Sequence, residues 1–151
     1  IKKAPPMRVA SVRDIIPTYS QQGALWNELY AYIGQRRLSP SGPCLTRYHD
    51  TEYKERDVDA EVCQPISGGQ PTEGRVKVYD LPAVETMACV IHHGPFTTIG
   101  EAYNALNKWI EANGYRIAGP DREVYLQPPA QSGNQTDPNT VTEIQFPVEK
   151  V

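Results

Sequence analysis

The feature that most constrains this chain is an internal repeat of about eighty residues. Gly42-Pro43 recurs as Gly119-Pro120, 77 positions later, and the same offset takes Tyr48 to Tyr125. The offset becomes 78 upstream and 82 downstream, where the second copy carries additional loop residues. A unit of this length that occurs only twice indicates a duplicated fold rather than a solenoid.

The hydrophobic spacing predicts the same order of elements in both copies. Leu25, Leu29 and Ile33 follow the i, i+4, i+8 spacing of a buried helix face, and the second copy repeats this spacing. Period-two alternation marks the strands. The predicted order is strand 7–14, helix 22–37 and strands 44–49 and 57–65, then strand 85–92, helix 99–113 and strands 122–127 and 141–148.

We therefore predict an α+β fold, a tandem β-α-β-β duplication with pseudo-twofold symmetry and mainly antiparallel sheet. Helices are expected on one face, with a ligand groove between the halves. We expect a single domain over residues 1–151, with pseudo-repeat 1 at about 1–66 and pseudo-repeat 2 at about 75–149. Gly- and Pro-rich composition marks 65–74 as a linker and 128–139 as an irregular loop. A strand around Val76 and Val78 joins the halves.

The second predicted helix has sequence signals for a start and for a stop at its two ends. Thr98 and Glu101 have the spacing of a capping box, which predicts the first turn. Asn113-Gly114 predicts a left-handed stop at the other end.

Composition and charge exclude several classes of function. Fifteen Lys+Arg against eighteen Asp+Glu give a net charge of −3 without a basic cluster, so we expect no direct binding to nucleic acid. No apolar run reaches the roughly 18 residues that cross a bilayer, which predicts no membrane partner. Cys44, Cys63 and Cys89 are widely spaced and form no C-x-x-C pair, which favours a cytoplasmic protein without disulfides or a metal site. Phosphate-binding loops and nucleophile elbows are absent, so we expect no cofactor.

The stretch "DREVYL" places Glu123 and Tyr125 on one face of a strand and Val124 and Leu126 on the other. If Val124 and Leu126 pack under the helix, Glu123 and Tyr125 face the groove, where a carboxylate among aromatic rings attracts a lipophilic cation. The alternative is a rim strand with Glu123 in water. In the first copy, Thr46 and Tyr48 occupy the equivalent face, where Tyr48 either approaches the groove or packs across the sheet.

Other aromatic and basic side chains are weaker candidates. Phe96 follows Gly94-Pro95 at the strand–helix turn, which leaves it free to border a pocket. Trp109 lies on the core stripe of the second helix, which favours packing over ligand contact. His92 and His93 are adjacent on a strand and point to opposite faces, so they do not chelate one metal. One of them is either a hydrogen-bond partner or base in the groove, or a strand-end histidine bonded to backbone or water.

Seven segments together resemble the GyrI-like effector-binding domains, which occur at the C-terminus of MerR-type and AraC-type transcription regulators and as free-standing proteins. In order, they are "RVASVRDIIPTY", "GALWNELYAYI", "GPCLTRYHD", "DVDAEVCQPI", "MACVIHHGPF", "GEAYNALNKWIEANGYRIAGPDREVYL" and "VTEIQFPV". The resemblance runs from about residue 7 to residue 148 and implies the duplicated fold. It also implies a groove that binds hydrophobic, often cationic molecules, with Glu123 as the acidic partner and Tyr48, Tyr125, Phe96 and Trp109 as walls.

The resemblance implies a sensor domain for a hydrophobic, cationic or aromatic small molecule. DNA is then bound only through an N-terminal domain that precedes Ile1, and the full-length protein is a candidate homodimer. Two alternatives remain open: a hydrolase that uses Glu123 and Tyr125 in the same groove, and an inhibitor that binds a protein partner.

Overall fold

The computed structural model describes residues 1–50, 53–70, 72, 74–130 and 134–151. Residues 71 and 73 of the predicted linker and residues 131–133 of the predicted irregular loop lie outside this range. Within the described residues the chain forms two compact units, one of residues 5–83 and one that joins residues 1–4 to residues 84–151.

Both predicted helices are present, with ends within one residue of the prediction. Helix α1 is Gly23–Arg36, and it buries Leu25, Leu29 and Ile33 as the spacing predicts. Helix α2 is Ile99–Ala112; a 3₁₀ turn, Phe96–Thr98, leads into it and Gly114 with φ 73° follows it.

The strands that the structure describes include all seven predicted ones and three short additional ones. In chain order they are β1 (Lys2–Ala4), β2 (Met7–Ile16), β3 (Ser39–Pro40), β4 (Leu45–Tyr48), β5 (Val58–Ser67), β6 (Val76–Leu81), β7 (Val84–His93), β8 (Tyr115–Ile117), β9 (Asp121–Gln127) and β10 (Val141–Lys150).

In the unit of residues 5–83, the strands pair antiparallel in the order β4-β5-β2-β6, and β3 adds to β5. Helix α1 covers one face, where Leu29 packs with Ala10, Val12 and Val62. Since side chains alternate along a strand, Ser11 and Glu61 point to the face without a helix.

In the second unit, the antiparallel order is β1-β7-β10-β9, and β8 adds to β10. Helix α2 covers one face and buries Leu106 and Ile110 against Ala88, Ile144 and Phe146. The two units thus have the same β-α-β-β design, which confirms the predicted α+β class.

The two lead-in strands are exchanged between the repeats. Strand β1 precedes β2 in the chain but pairs with β7, and β6 precedes β7 but pairs with β2. The predicted repeats cover about 1–66 and 75–149, with the strand around Val76 and Val78 joining them, whereas the compact units divide the chain after residue 4 and after residue 83. The linear order of elements carries no record of this pairing.

The predicted capping box at the start of α2 is wrong. Thr98 takes the N-cap position, but its side chain makes no capping hydrogen bond and its φ and ψ are −110° and 4°. Its hydroxyl instead donates to the Pro95 carbonyl at 3.1 Å, because the preceding 3₁₀ turn points it back along the chain. The glycine stop is confirmed, since Gly114 has φ 73°.

Candidate functional site: the Glu123 face of strand β9

The polar face of β9 consists of Asp121, Glu123 and Tyr125, which alternate with Arg122 and Val124. Glu123 lies directly opposite Ile144 of β10, and Ile144 packs against α2. Directly paired residues share a face of the sheet, so the Glu123 face is the face that α2 covers. Glu123 is only 8% exposed, which rules out the solvated rim strand.

This arrangement is neither of the two that the sequence left open. Those were Val124 and Leu126 packed under the helix with Glu123 facing the groove, or a rim strand with Glu123 in water. Leu126 is instead 45% exposed, and the helix meets the carboxylate side. The register of β9 on β10 decides this, because it sets Glu123 rather than Val124 opposite Ile144.

A tyrosine from α2 joins the two carboxylates of this face. The Tyr103 hydroxyl lies 3.0 Å from Asp121 Oδ2 and 2.5 Å from Glu123 Oε2. The Tyr125 hydroxyl donates to Glu123 Oε1 at 3.2 Å. We call Asp121, Glu123, Tyr103 and Tyr125 the acidic cluster.

The electrostatics of the cluster are those of two acids in a low-dielectric setting. Burial and then the neighbouring Glu123 charge raise the pKa of Asp121 to about 7, against a smaller lowering by the Tyr103 hydroxyl. A buried carboxyl close to a like charge favours its neutral form. At pH 7 Asp121 is therefore about half protonated, whereas an exposed aspartate would be almost fully ionised.

Aromatic rings border the acidic cluster. The Phe96 ring meets the Tyr125 ring edge-on, with centroids 5.7 Å apart and an interplanar angle of 84°. Tyr103 meets Phe146 in the same way at 6.0 Å and 85°. Rings that surround a carboxylate present both apolar surface and electron-rich faces, which suit a hydrophobic cation.

The structure thus brings three predicted site residues together, Glu123, Tyr125 and Phe96. His92 lies at the end of β7, where its Nε2 contacts the Pro95 carbonyl at 3.1 Å and the Thr98 hydroxyl at 3.2 Å. These contacts match the strand-end alternative that the sequence left open.

Trp109 was placed on the core stripe of α2, and that placement is wrong. Its side chain is 40% exposed and stacks on Tyr115, with centroids 5.9 Å apart. The buried stripe runs through Leu106 and Ile110 instead. Position 109 lies one residue before Ile110, at the margin of the stripe, where the short β8 supplies a ring to stack on.

Tyr48, the remaining predicted wall, belongs to the other unit and is described there by itself. It is buried in the core under α1, and its hydroxyl accepts a hydrogen bond of 2.6 Å from Gln22 Nε2. The Thr46 hydroxyl donates to Gln22 Oε1 at 3.0 Å. Where the second unit has carboxylates, the first has a neutral amide, hydroxyl and phenol.

The uncovered face of the first unit carries a cavity of about 720 Å³, and most of the residues that line it are charged or polar. At its floor Glu61 accepts hydrogen bonds from Arg47 Nη1 at 3.1 Å, His49 Nε2 at 2.8 Å and the Tyr79 hydroxyl. Burial alone would raise the pKa of Glu61, but the His49, Tyr79 and Arg47 contacts lower it to about 2. Glu61 thus stays ionised, and neighbouring side chains of the protein compensate its charge.

Asp121 and Tyr103 belong to the acidic cluster but were not predicted from the sequence. Both had a visible signal: Asp121 precedes Glu123 by two positions, and Tyr103 follows Ile99 by four on the helix. The same period-two rule that joined Glu123 to Tyr125 extends to Asp121.

Other kinds of site have no support within the described ranges. No group of three or more His, Cys, Asp or Glu side chains there is arranged to hold a metal ion. Neither described helix combines the length and the apolar character that a membrane crossing requires.

Comparison with known proteins identifies the family. The model of the GyrI-like small molecule binding domain matches residues 1–149. The chain belongs to the GyrI-like family. No curated protein sequence matches this GyrI-like domain significantly.

Solved structures agree with this assignment. The C-terminal domain of EcmrR, a MerR-family regulator, is 35% identical with a TM-score of 0.80, over 99% of this GyrI-like domain and 96% of that chain. EcmrR in a complex with DNA is 36% identical with a TM-score of 0.81, over 99% of this chain and 56% of that one. The GyrI-like domain thus spans little more than half the length of that EcmrR chain. SAV2435 bound to tetraphenylphosphonium is 12% identical with a TM-score of 0.60, over 98% of this chain and 92% of that one, which shows the shared fold.

Proposed function

We propose that this GyrI-like domain is the effector sensor of a cytoplasmic transcription regulator and binds a hydrophobic cation at the acidic cluster. Glu123 is the charge partner, and Tyr125 and Phe96 form walls. DNA binding belongs to a further domain of the regulator. Ligand binding acts by favouring one arrangement of the regulator over another.

The observation that carries the proposal is the burial of Glu123 beside a second acid. Glu123 is 8% exposed, and Asp121 shares the Tyr103 hydroxyl with it. Placing two carboxyl groups together in a buried setting costs stability, and a bound cation offsets that cost. The 35% identity to the effector domain of a MerR-family regulator supports the sensor role.

The test is calorimetric titration of the purified chain with tetraphenylphosphonium, the cation present in a structure of the same fold. Triphenylphosphine oxide provides a neutral analogue of similar shape. We expect selective binding of the cation and a loss of about tenfold or more in Glu123→Gln, equivalent to ~1.4 kcal/mol.

Glu101→Gln is the matched control, because it removes the same charge at an exposed position of α2. Equal affinity of wild type and Glu123→Gln would contradict the assignment of Glu123. The ligand is expected to be recovered unchanged; turnover that is lost in Glu123→Gln would replace the sensor with a hydrolase. Absence of binding combined with a stable protein complex would favour the inhibitor.

A further inference from the structure

The contacts of Tyr103 require one more proton than two ionised carboxylates provide. Its hydroxyl oxygen lies within hydrogen-bond distance of both Asp121 and Glu123, yet a phenol has a single proton to donate. With both acids ionised, one of the two contacts would set two lone pairs against each other. A proton on Asp121 resolves this, since Asp121 then donates to the Tyr103 oxygen and Tyr103 donates to Glu123.

The surroundings of Asp121 favour that protonated form. Its own strand contributes Glu123 and Tyr125 to the same face, and α2 contributes Tyr103. Strand β10 contributes Ile144 and Phe146, which carry no charge. Burial and the Glu123 charge raise the pKa of Asp121 to about 7, in agreement with the hydrogen-bond geometry.

We propose that Asp121 is a second cation-binding carboxylate of this site, and that a cation binds with release of the Asp121 proton to solvent. The inference rests on the proposed function, because it concerns the same ligand at the same cluster. The cluster carries one negative charge before binding, held by Glu123. It carries two after Asp121 has lost its proton, and the Tyr103 hydroxyl then donates to only one of them.

The exchange makes the affinity for a cation depend on pH. The unliganded cluster is a monoanion below pH 7 and a dianion above it, whereas the liganded cluster is a dianion at either pH. Because binding and ionisation are linked, the affinity for a cation rises about tenfold per pH unit up to pH 7 and then levels off. A site with Glu123 alone would show no such change between pH 6 and pH 8.

Two measurements test this, and the first needs no ligand. The carboxyl ¹³C resonance of Asp121, assigned by its loss in Asp121→Asn, is followed against pH in the unliganded chain. A midpoint near 7 is expected, and a midpoint near 4 would overturn the proposal. Glu101→Gln should leave this midpoint unchanged, since Glu101 lies on an exposed position of α2.

The second measurement is titration with tetraphenylphosphonium at pH 6 in phosphate and in imidazole buffers, which differ in ionisation enthalpy. The dependence of the measured heat on the buffer gives the number of protons released, expected to be about one in wild type and near zero in Asp121→Asn. The affinity for tetraphenylphosphonium should rise between pH 6 and pH 7 in wild type but not in Asp121→Asn. Binding without proton release would overturn this inference and leave the proposed function standing, whereas absence of binding would remove both.

Discussion

Each unit of this protein buries a carboxylate, and the two are treated in opposite ways. Glu61 is 3% exposed and meets Arg47, His49 and Tyr79, which lower its pKa to about 2. Glu123 is almost as deeply buried, yet it shares Tyr103 with Asp121, whose pKa is raised to about 7. The comparison separates a charge that folding has already neutralised from a pair of acids that a bound cation would relieve.

The largest effect is expected from Glu61→Ala. This change leaves the Arg47 guanidinium, which is largely buried, without its carboxylate, and breaking such a pair costs about 3–5 kcal/mol of unfolding free energy. Urea denaturation at pH 7 measures the loss, with Glu101→Gln as a control expected to stay within about 0.5 kcal/mol. A loss below 1 kcal/mol would mean that the hydrogen bonds and ion pair of Glu61 contribute little to the stability of the fold.

Glu61 and Asp121 should make the unfolding free energy depend on pH in opposite directions. Glu61 has a folded pKa lowered from 4.5, so its contribution is present above pH 4.5 and is lost as the pH falls toward 2. Asp121 has a folded pKa raised from 3.8, so the folded state binds the extra proton and stability falls as the pH rises from about 4 to 7.

Each contribution is of the order of 2–4 kcal/mol. Unfolding free energies measured between pH 3 and pH 8 should show both limbs in wild type. Glu61→Gln should reduce the acidic limb and Asp121→Asn the neutral one. An unchanged slope of the unfolding free energy between pH 4 and pH 7 in Asp121→Asn would contradict the contrast between Glu61 and Asp121.

A smaller change is expected from Tyr103→Phe. The Tyr103 hydroxyl lies within hydrogen-bond distance of both Asp121 and Glu123, so its removal should reduce the unfolding free energy by about 1 kcal/mol. Urea denaturation measures the loss. Tyr53→Phe makes the same chemical change at an exposed ring and should leave the unfolding free energy unchanged. An unchanged unfolding free energy in Tyr103→Phe would contradict the role given to the shared hydroxyl.

The smallest effect is expected at Glu143, the position that the repeat sets against Glu61. Its cationic partner is Lys2, at 2.7 Å, but half of the Lys2 side chain is exposed. Lys2→Ala should therefore cost about 0.5–1 kcal/mol, well below the loss in Glu61→Ala. A cost as large as that of Glu61→Ala would show that exposure of the cation does not set the difference.

Local patterns predicted most of the fold. Leu25, Leu29 and Ile33 define α1 by themselves, and alternation defines the longer strands, because both signals repeat within one element. Strands β3 and β8 were not predicted, since two or three residues are too few to show a period. The exchange of β1 and β6 was not predicted either, because strand pairing depends on contacts far apart in the chain.

The same limit explains the candidate site. Period-two spacing correctly joined Glu123 to Tyr125, but the face that α2 covers depends on the register between Glu123 and Ile144. Thr98 had the sequence of a cap, but the 3₁₀ turn that redirects its hydroxyl has no signal of its own. The pairing of Asp121 with Tyr103 depends on how the helix packs on the strand, which composition does not specify.

Because β1 and β6 are exchanged, the chain cannot be cut between the two repeats without removing a strand from one of the two sheets. A cut at the start of the second predicted repeat would remove β6 from β2 and expose the polar backbone of that edge. The mirror-image loss follows if residues 1–4 are trimmed, since β7 then loses β1. The two copies therefore depend on each other in evolution. Deleting or moving one copy removes a strand from the sheet of the other and leaves that sheet with an unpaired edge. The unit that contains the acidic cluster joins residues 1–4 to residues 84–151, so no contiguous segment encodes it. Producing this unit alone requires a circular permutant in which β1 is joined to residues 84–151.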